Sequence, residues 1–174
     1  MTSHRLNVFF DFLKKYWYHI LIFAIIICAI VFRVEALRIR ESWWDEAALA
    51  YNFVENEGIL WTFKPLAHFQ MAPPLFLILT KFVTSIFQGT EWSYRIIPFL
   101  SSIISIPVFY ILSTKFLTQK RAVIFANFLY AVNFALIRWA TEFKQYSGDI
   151  LIFMLVFLWL NNFDKKELQG LKGG

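Results

Sequence analysis

Three short stretches hold the residues best equipped to do chemistry. The first is Trp43-Trp44-Asp45-Glu46-Ala47-Ala48, two aromatics followed by adjacent carboxylates. The second is Glu91-Trp92-Ser93-Tyr94-Arg95, and the third runs from Glu142 through Lys144 and Tyr146 to Asp149. Carboxylates serve as general bases or as ligands for a divalent metal, while Arg and Lys hold phosphate. Gathered on one face, such a set suits a substrate with an anionic leaving group delivered from lipid. The alternative is a set of solvated charges at helix ends, the commoner role of Glu91, Glu142 or Lys144 taken singly. Nothing here resembles a Gly-rich phosphate loop or a Ser or Cys nucleophile motif. His68 has no second ligand at metal spacing and reads as a surface residue.

Local sequence says how the first acids are presented. Ser42-Trp43-Trp44-Asp45 has capping-box spacing, with Asp in place of Glu or Gln, so Ser42 is expected to cap a helix over 45–57 that Gly58 stops. Asp45 and Glu46 then fall in the first turn, where the positive helix end favours carboxylates. Neighbours on a helix point about 100° apart, so only one of the pair can face a given site. Ala47, Ala48 and Ala50 leave open space along one face. Trp43 and Trp44 suit a membrane–water interface.

Composition supplies the setting. The chain has 174 residues, 59% hydrophobic and 20% aromatic, which marks a membrane protein rather than a soluble domain. The net charge of +5 sits in short clusters between apolar runs, so nucleic acid is not an expected partner. Cys28 is the lone cysteine and allows no internal disulfide. The expected fold is all-α and polytopic, a single membrane domain over 1–174 with spans near 16–34, 94–114, 122–139 and 147–163. A first outer loop over 35–93 carries interfacial helices. The first run is long for a signal peptide and shows no small-residue cleavage site. Asn127 and Asn133 are expected to hydrogen-bond between helices, and Arg138 to snorkel. The polar, Gly-rich stretch 168–174 is expected to fray.

The apolar run that follows Pro73-Pro74 is shorter than a span and is interrupted by Lys81. If it crosses the membrane, the basic loop at 115–121 and Lys165-Lys166 fall outside. If it lies in the interface, they join the basic N-terminus in the cytoplasm, as the positive-inside rule asks. The second arrangement puts Asp45, Glu46, Glu91, Glu142 and Asp149 together on the outer face. Arg33, Arg38 and Arg40 count against it, but acidic residues lie near them in sequence.

The order of these features resembles a known family. A first span, an Asp-Glu pair, Pro73-Pro74-Leu75, a Glu91–Arg95 segment leading into a Pro-containing span, a basic loop, a further span and the Glu142–Tyr146 segment follow one another. This is similar to the N-terminal part of the integral-membrane GT-C glycosyltransferases, closest to the protein O-mannosyltransferase and aminoarabinose transferase group (glycosyltransferase family 39 type). The stretch 97–111 also resembles the second span of oligosaccharyltransferase catalytic subunits.

The resemblance implies a hexosyl or pentosyl transferase, mannosyltransferase-like, that moves a sugar from a polyprenyl-phosphate-linked donor with inversion. The acceptor would be a protein, lipid or glycan on the outer face. The expected setting is the inner (plasma) membrane of a prokaryote, with membrane lipid around the chain. It also implies Asp45 as the catalytic acid–base residue with Glu46 beside it, and Arg95, Glu142, Lys144, Tyr146 and Asp149 as substrate-binding residues. Met71-Ala72 stand where the family has His or Glu-Lys before its prolines, and Lys144 replaces an Arg, keeping the charge without the fork. Family enzymes are longer, so the sequence reads as a fragment, or as half of a split enzyme with a complementing chain. A membrane protein that keeps the fold only for assembly or lipid binding is the rival reading.

Overall fold

A computed structural model describes residues 2–41 and 43–170, with side chains over 15–41 and 43–161. Ser42 and residues 171–174 lie outside the described residues. The described residues are all-α, with seven α-helices among them: α1 (Thr2–Ile39), α2 (Trp44–Glu55), α3 (Pro74–Ile86), α4 (Ile96–Phe116), α5 (Lys120–Val132), α6 (Phe134–Ala140) and α7 (Tyr146–Gly170). Short 3₁₀ turns fill the 35–93 region between the helices. Stretch 168–170, expected to fray, continues α7.

Among the described residues two helical stretches are long and apolar enough to cross a membrane, Lys15–Ile39 and Glu91–Phe116. The third expected span is broken: α5 and α6 meet at a 52° bend. The cause is Asn133, whose side chain accepts from Leu136 N–H at 3.1 Å and starts a new helix. Asn133 is therefore a cap, not the interhelical partner expected. Asn127 does bond between helices, to Ser113 Oγ at 2.8 Å. Apolar stretches Pro74–Ile86 and Tyr146–Asn161 are shorter. At about 1.5 Å per residue, the 13 residues of α3 reach roughly 20 Å, too little for a bilayer core of about 30 Å.

In the apolar bundle α4 lies along α7, and α1 along α5. Small residues Ala29 and Ala131 pack with Ile106 and let α1, α4 and α5 approach closely. Large side chains such as Phe23, Phe125 and Phe153 stay exposed on the bundle surface, as lipid-facing residues should. Arg33 is the exception inside. It is fully buried, donates to Ser102 Oγ (2.8 Å) and the Ala29 carbonyl (2.9 Å), and sits over the Tyr130 ring. Among the described residues no carboxylate pairs with it, contrary to the nearby acids its sequence suggests; its position places it on the α1 face that α4 and Tyr130 of α5 cover. Arg38 does pair with Glu35, at 2.9 Å.

The other core lies outside the bundle. Leu49 and Phe53 of α2, Trp61, Phe76 and Leu77 of α3, and Phe143 form one cluster. Phe53 meets Trp61, Tyr94 and Phe143 edge-on. Helix α2 ends at Glu55, two residues short of expectation, and Gly58 (φ 69°) lies beyond its end in a turn. Lys81 of α3 explains why: its ammonium takes the carbonyls of Phe53 and Asn56, both at 3.2 Å, as a cation at a helix C-terminus should. The lysine that interrupts the apolar run thus fastens α3 across α2.

Candidate active site

Helix α2 begins at Trp44, with Trp43 as its N-cap. That makes Glu46 the third helical residue, and its carboxylate accepts from Trp43 N–H at 3.1 Å. The cap therefore sits one residue later than expected, and only its Glu46 half is made, because the Trp43 indole has no acceptor for the Glu46 N–H. Asp45 is left free to point elsewhere. The two neighbours diverge: the Asp45 side chain is 62% exposed and the Glu46 side chain 4%.

Glu46 is a rivet. One oxygen accepts from the backbone N–H of Phe143; the other meets Arg95 Nη2 at 3.1 Å. Arg95 is also buried, donates to the Arg40 carbonyl (3.1 Å) and lies 3.5 Å from Glu91. These contacts join α2, the start of α4 and the 141–145 bend before α7. Ala47 and Ala50 border a cavity of about 350 Å³ on this Glu46–Arg95 side, while Ala48 is buried. The open space expected beside Asp45 lies beside Glu46 instead, because Glu46 turns inward.

Asp45 meets a different pair. Lys144 Nζ lies 2.8 Å from Asp45 Oδ2, and Gln70 Nε2 donates to Asp45 Oδ1 at 2.9 Å. Lys144 also donates to Gln70 Oε1 at 2.7 Å, which closes the triangle. The Gln70 amide fits only one way round, since exchange of its O and N would set donor against donor. Lys144 is buried and donates to Asp45, Gln70 donates too, and the two hold the Asp45 carboxyl below its ordinary range against a smaller opposing effect of burial. Left-handed backbone at His68 and Phe69 (φ 56° and 55°) turns the chain just before Gln70. His68 is exposed, its ring edge-on to Tyr51.

The remaining expected site residues divide. Glu142 is held by Arg40 (3.1 Å) and Arg138 (3.5 Å). Arg138 stacks over Trp43 with 5.2 Å to the ring centroid, so it is anchored and not simply snorkelling. Tyr146 opens α7 with its ring 5.6 Å from that of Trp139. Asp149 lies one turn into α7 and borders an apolar groove of about 250 Å³ between α3, α4 and α7, with Leu79, Ile97 and Ile152 among its walls. That groove shares Pro73 and Gln145 with an open basin of about 470 Å³, walled mainly by Pro65, Leu66, Met71 and Ala72, with Lys64 and Gln70 among its polar residues. Gln145 Oε1 is buried without a hydrogen-bond partner.

Gln70, Arg40, Lys64 and Gln145 are the residues that sequence reasoning missed. Only Gln70 carried a signal, its place just before the Pro73-Pro74 pair. Among the described residues no three His, Cys, Asp or Glu side chains gather as metal ligands. Asp45, Glu46 and Glu142 already face Lys144, Arg95 and Arg40, which leaves little negative charge for a divalent cation.

A sequence profile of the family described as dolichyl-phosphate-mannose-protein mannosyltransferase matches residues 71–170, more than half of the chain. No curated protein and no solved structure matches. The matched stretch holds Pro73-Pro74, Arg95, Glu142 and Lys144; Asp45 and Glu46 precede it. The all-α bundle with helices of membrane-crossing length, and the outer cluster built on its short apolar helix, agree with that match: the chain is an integral membrane protein of the GT-C glycosyltransferase type, and it belongs to the dolichyl-phosphate-mannose-protein mannosyltransferase family.

Proposed function

We propose that the chain transfers a sugar from a polyprenyl-phosphate-linked donor to an acceptor hydroxyl, with Asp45 as general base. The observation that carries this reading is the Asp45–Lys144–Gln70 triangle, an exposed carboxylate held between two donors. Gln70 also lines, with Lys64, the basin that adjoins the apolar groove of α3, α4 and α7. The lipid chain of the donor lies in that groove, and its phosphate and sugar occupy the basin beside Lys64. In the inverting step Asp45 takes the acceptor proton, the hydroxyl oxygen attacks the anomeric carbon, and the bond from that carbon to the phosphate oxygen breaks. The electron pair leaves with the polyprenyl phosphate. Once protonated, Asp45 no longer neutralises Lys144, whose charge then faces the departing phosphate. Glu46 and Arg95 hold the frame, and no step runs through a metal ion.

In this reading the acids face the extracytoplasmic side, and the N-terminus and the 115–121 loop face the cytoplasm. The acceptor is a protein, lipid or glycan hydroxyl presented on that outer side. The test is transfer from radiolabelled polyprenyl-phosphate sugar in native membrane vesicles that hold the chain together with any complementing chain. Asp45→Asn should lower turnover by at least about a hundred-fold with donor binding retained. Near-normal turnover by that variant would sink the assignment.

A further inference from the structure

A second amphipathic groove opens on the opposite flank, between the end of α1 and α6. The bend at Asn133 tilts α6 and sets exposed Phe134 and half-buried Ile137 beside Ala36 and Ile39. The groove has a volume of about 290 Å³. Its apolar floor is exposed: Ile39 is 79% and Phe134 76% accessible. Its polar end carries Arg40, Arg138 and Thr141, with the Trp43 ring beneath the Arg138 guanidinium.

Charge is unbalanced there. Two guanidinium groups share a single carboxylate, Glu142. Glu41, next along the chain, does not line the groove, and Glu35 is taken by Arg38. Glu142 does not satisfy Arg40 either. Arg40 Nη2 lies 3.1 Å from the carboxylate but off the hydrogen-bond direction, and Arg40 Nε is enclosed without an acceptor. Arg40 Nη1 donates inward to the Arg138 carbonyl (2.9 Å) and Thr141 Oγ1 (3.2 Å), so the excess positive charge meets the groove through the part-exposed Arg138, where an anionic oxygen offsets it.

From this we infer that the α1–α6 groove binds an anionic phospholipid of the surrounding bilayer. The acyl chains lie on Ile39, Phe134 and Ile137, and the phosphate meets Arg138 with Arg40 behind it. Neutral lipids fill the same floor but leave the cation uncompensated. The site does not depend on sugar transfer. It is joined to the candidate active site through the chain itself, since Thr141 and Glu142 directly precede Phe143 and Lys144.

Native mass spectrometry of the full chain in detergent, with equal amounts of phosphatidylglycerol and phosphatidylcholine added, tests the inference. Bound phosphatidylglycerol should exceed phosphatidylcholine by roughly fivefold, the effect of one uncompensated cation at a membrane surface. Arg138→Gln should bring the ratio close to one. Ile137→Trp, which fills the groove and keeps both arginines, should remove the bound lipid of either kind. Helical circular dichroism shows that each variant is folded; if Arg138→Gln does not fold, Ile137→Trp carries the test. Equal retention of the two lipids overturns the inference, as does a folded Arg138→Gln protein with an unchanged ratio. Retention of neither lipid overturns it as well. Displacement of phosphatidylglycerol by added polyprenyl phosphate, one for one, assigns the groove to the donor instead.

Discussion

Asp45 and Glu46 are adjacent and chemically alike, yet their surroundings give them opposite tasks. Glu46 is buried against Arg95, so removal of one partner strands a buried charge. Glu46→Ala should lower stability by about 3–5 kcal/mol, read as thermal unfolding in detergent. Asp45 is largely exposed, and Asp45→Asn should change stability by no more than about 1 kcal/mol. Equal losses from the two variants would remove the division of labour. The lowered Asp45 carboxyl also fixes a sign. Its contribution to stability is present above the ordinary carboxyl value of 3.8 and fades as pH falls through the depressed folded value. A base must be ionised to accept a proton, so the acid limb of the transfer rate should lie below the ordinary carboxylate range. Lys144 is the main cause of the depression. Lys144→Met should therefore move that limb upward, and a pH–rate profile that does not move would show that Lys144 does not set it.

At the scale of elements, the proposed arrangement depends on α3, whose 13 residues are too few for a bilayer core of about 30 Å. Helix α3 buries Phe76, Leu77, Thr80 and Thr84 against the outer cluster and leaves Leu75, Leu79 and Phe82 exposed. That one-sided burial suits an interfacial helix. With Cys28→Ala as background, a cysteine at Thr90 should label with an impermeant reagent from outside, and one at Gln119 only after permeabilisation. Both sites are exposed, whereas Ser147 is too buried to report. Thr90 labelled only from inside would make α3 a span. The α5–α6 bend has a local cause in the Asn133 cap. Asn133→Ala should cost about 1 kcal/mol in thermal unfolding, and an unchanged midpoint would mean that packing alone holds the bend.

For the whole molecule, the consequence is a basin carrying Lys64 and Gln70 that adjoins an apolar groove. A lipid-linked donor needs both at once. Ile152→Trp narrows the groove on the α7 side without touching the Asp45 triangle. It should raise the KM for a long-chain polyprenyl donor at least severalfold and leave a short-chain water-soluble donor unaffected. Equal effects on the two donors would place the lipid chain elsewhere.

The apolar runs, their lengths and the charges between them were legible in the sequence, because hydropathy and helix length are local properties of the chain. Those features determined an all-α membrane protein and the acidic stretches that flank its helices. The order of motifs pointed to the family that residues 71–170 match. Tertiary structure decided which acid faces which partner. A sequence cannot fix the rotation of α2 about its axis; packing of Leu49 and Phe53 against Trp61 and Phe143 does. That rotation turns Glu46 toward Phe143, 97 residues away, and leaves Asp45 outside. Gln70 joins the site from 25 residues beyond Asp45 and meets Lys144 across 74. Asn133 looked like part of one continuous apolar run, since its capping role depends on backbone geometry that hydropathy does not record. Side-chain pairings over such separations follow from how the helices pack, so they became visible only in the folded chain.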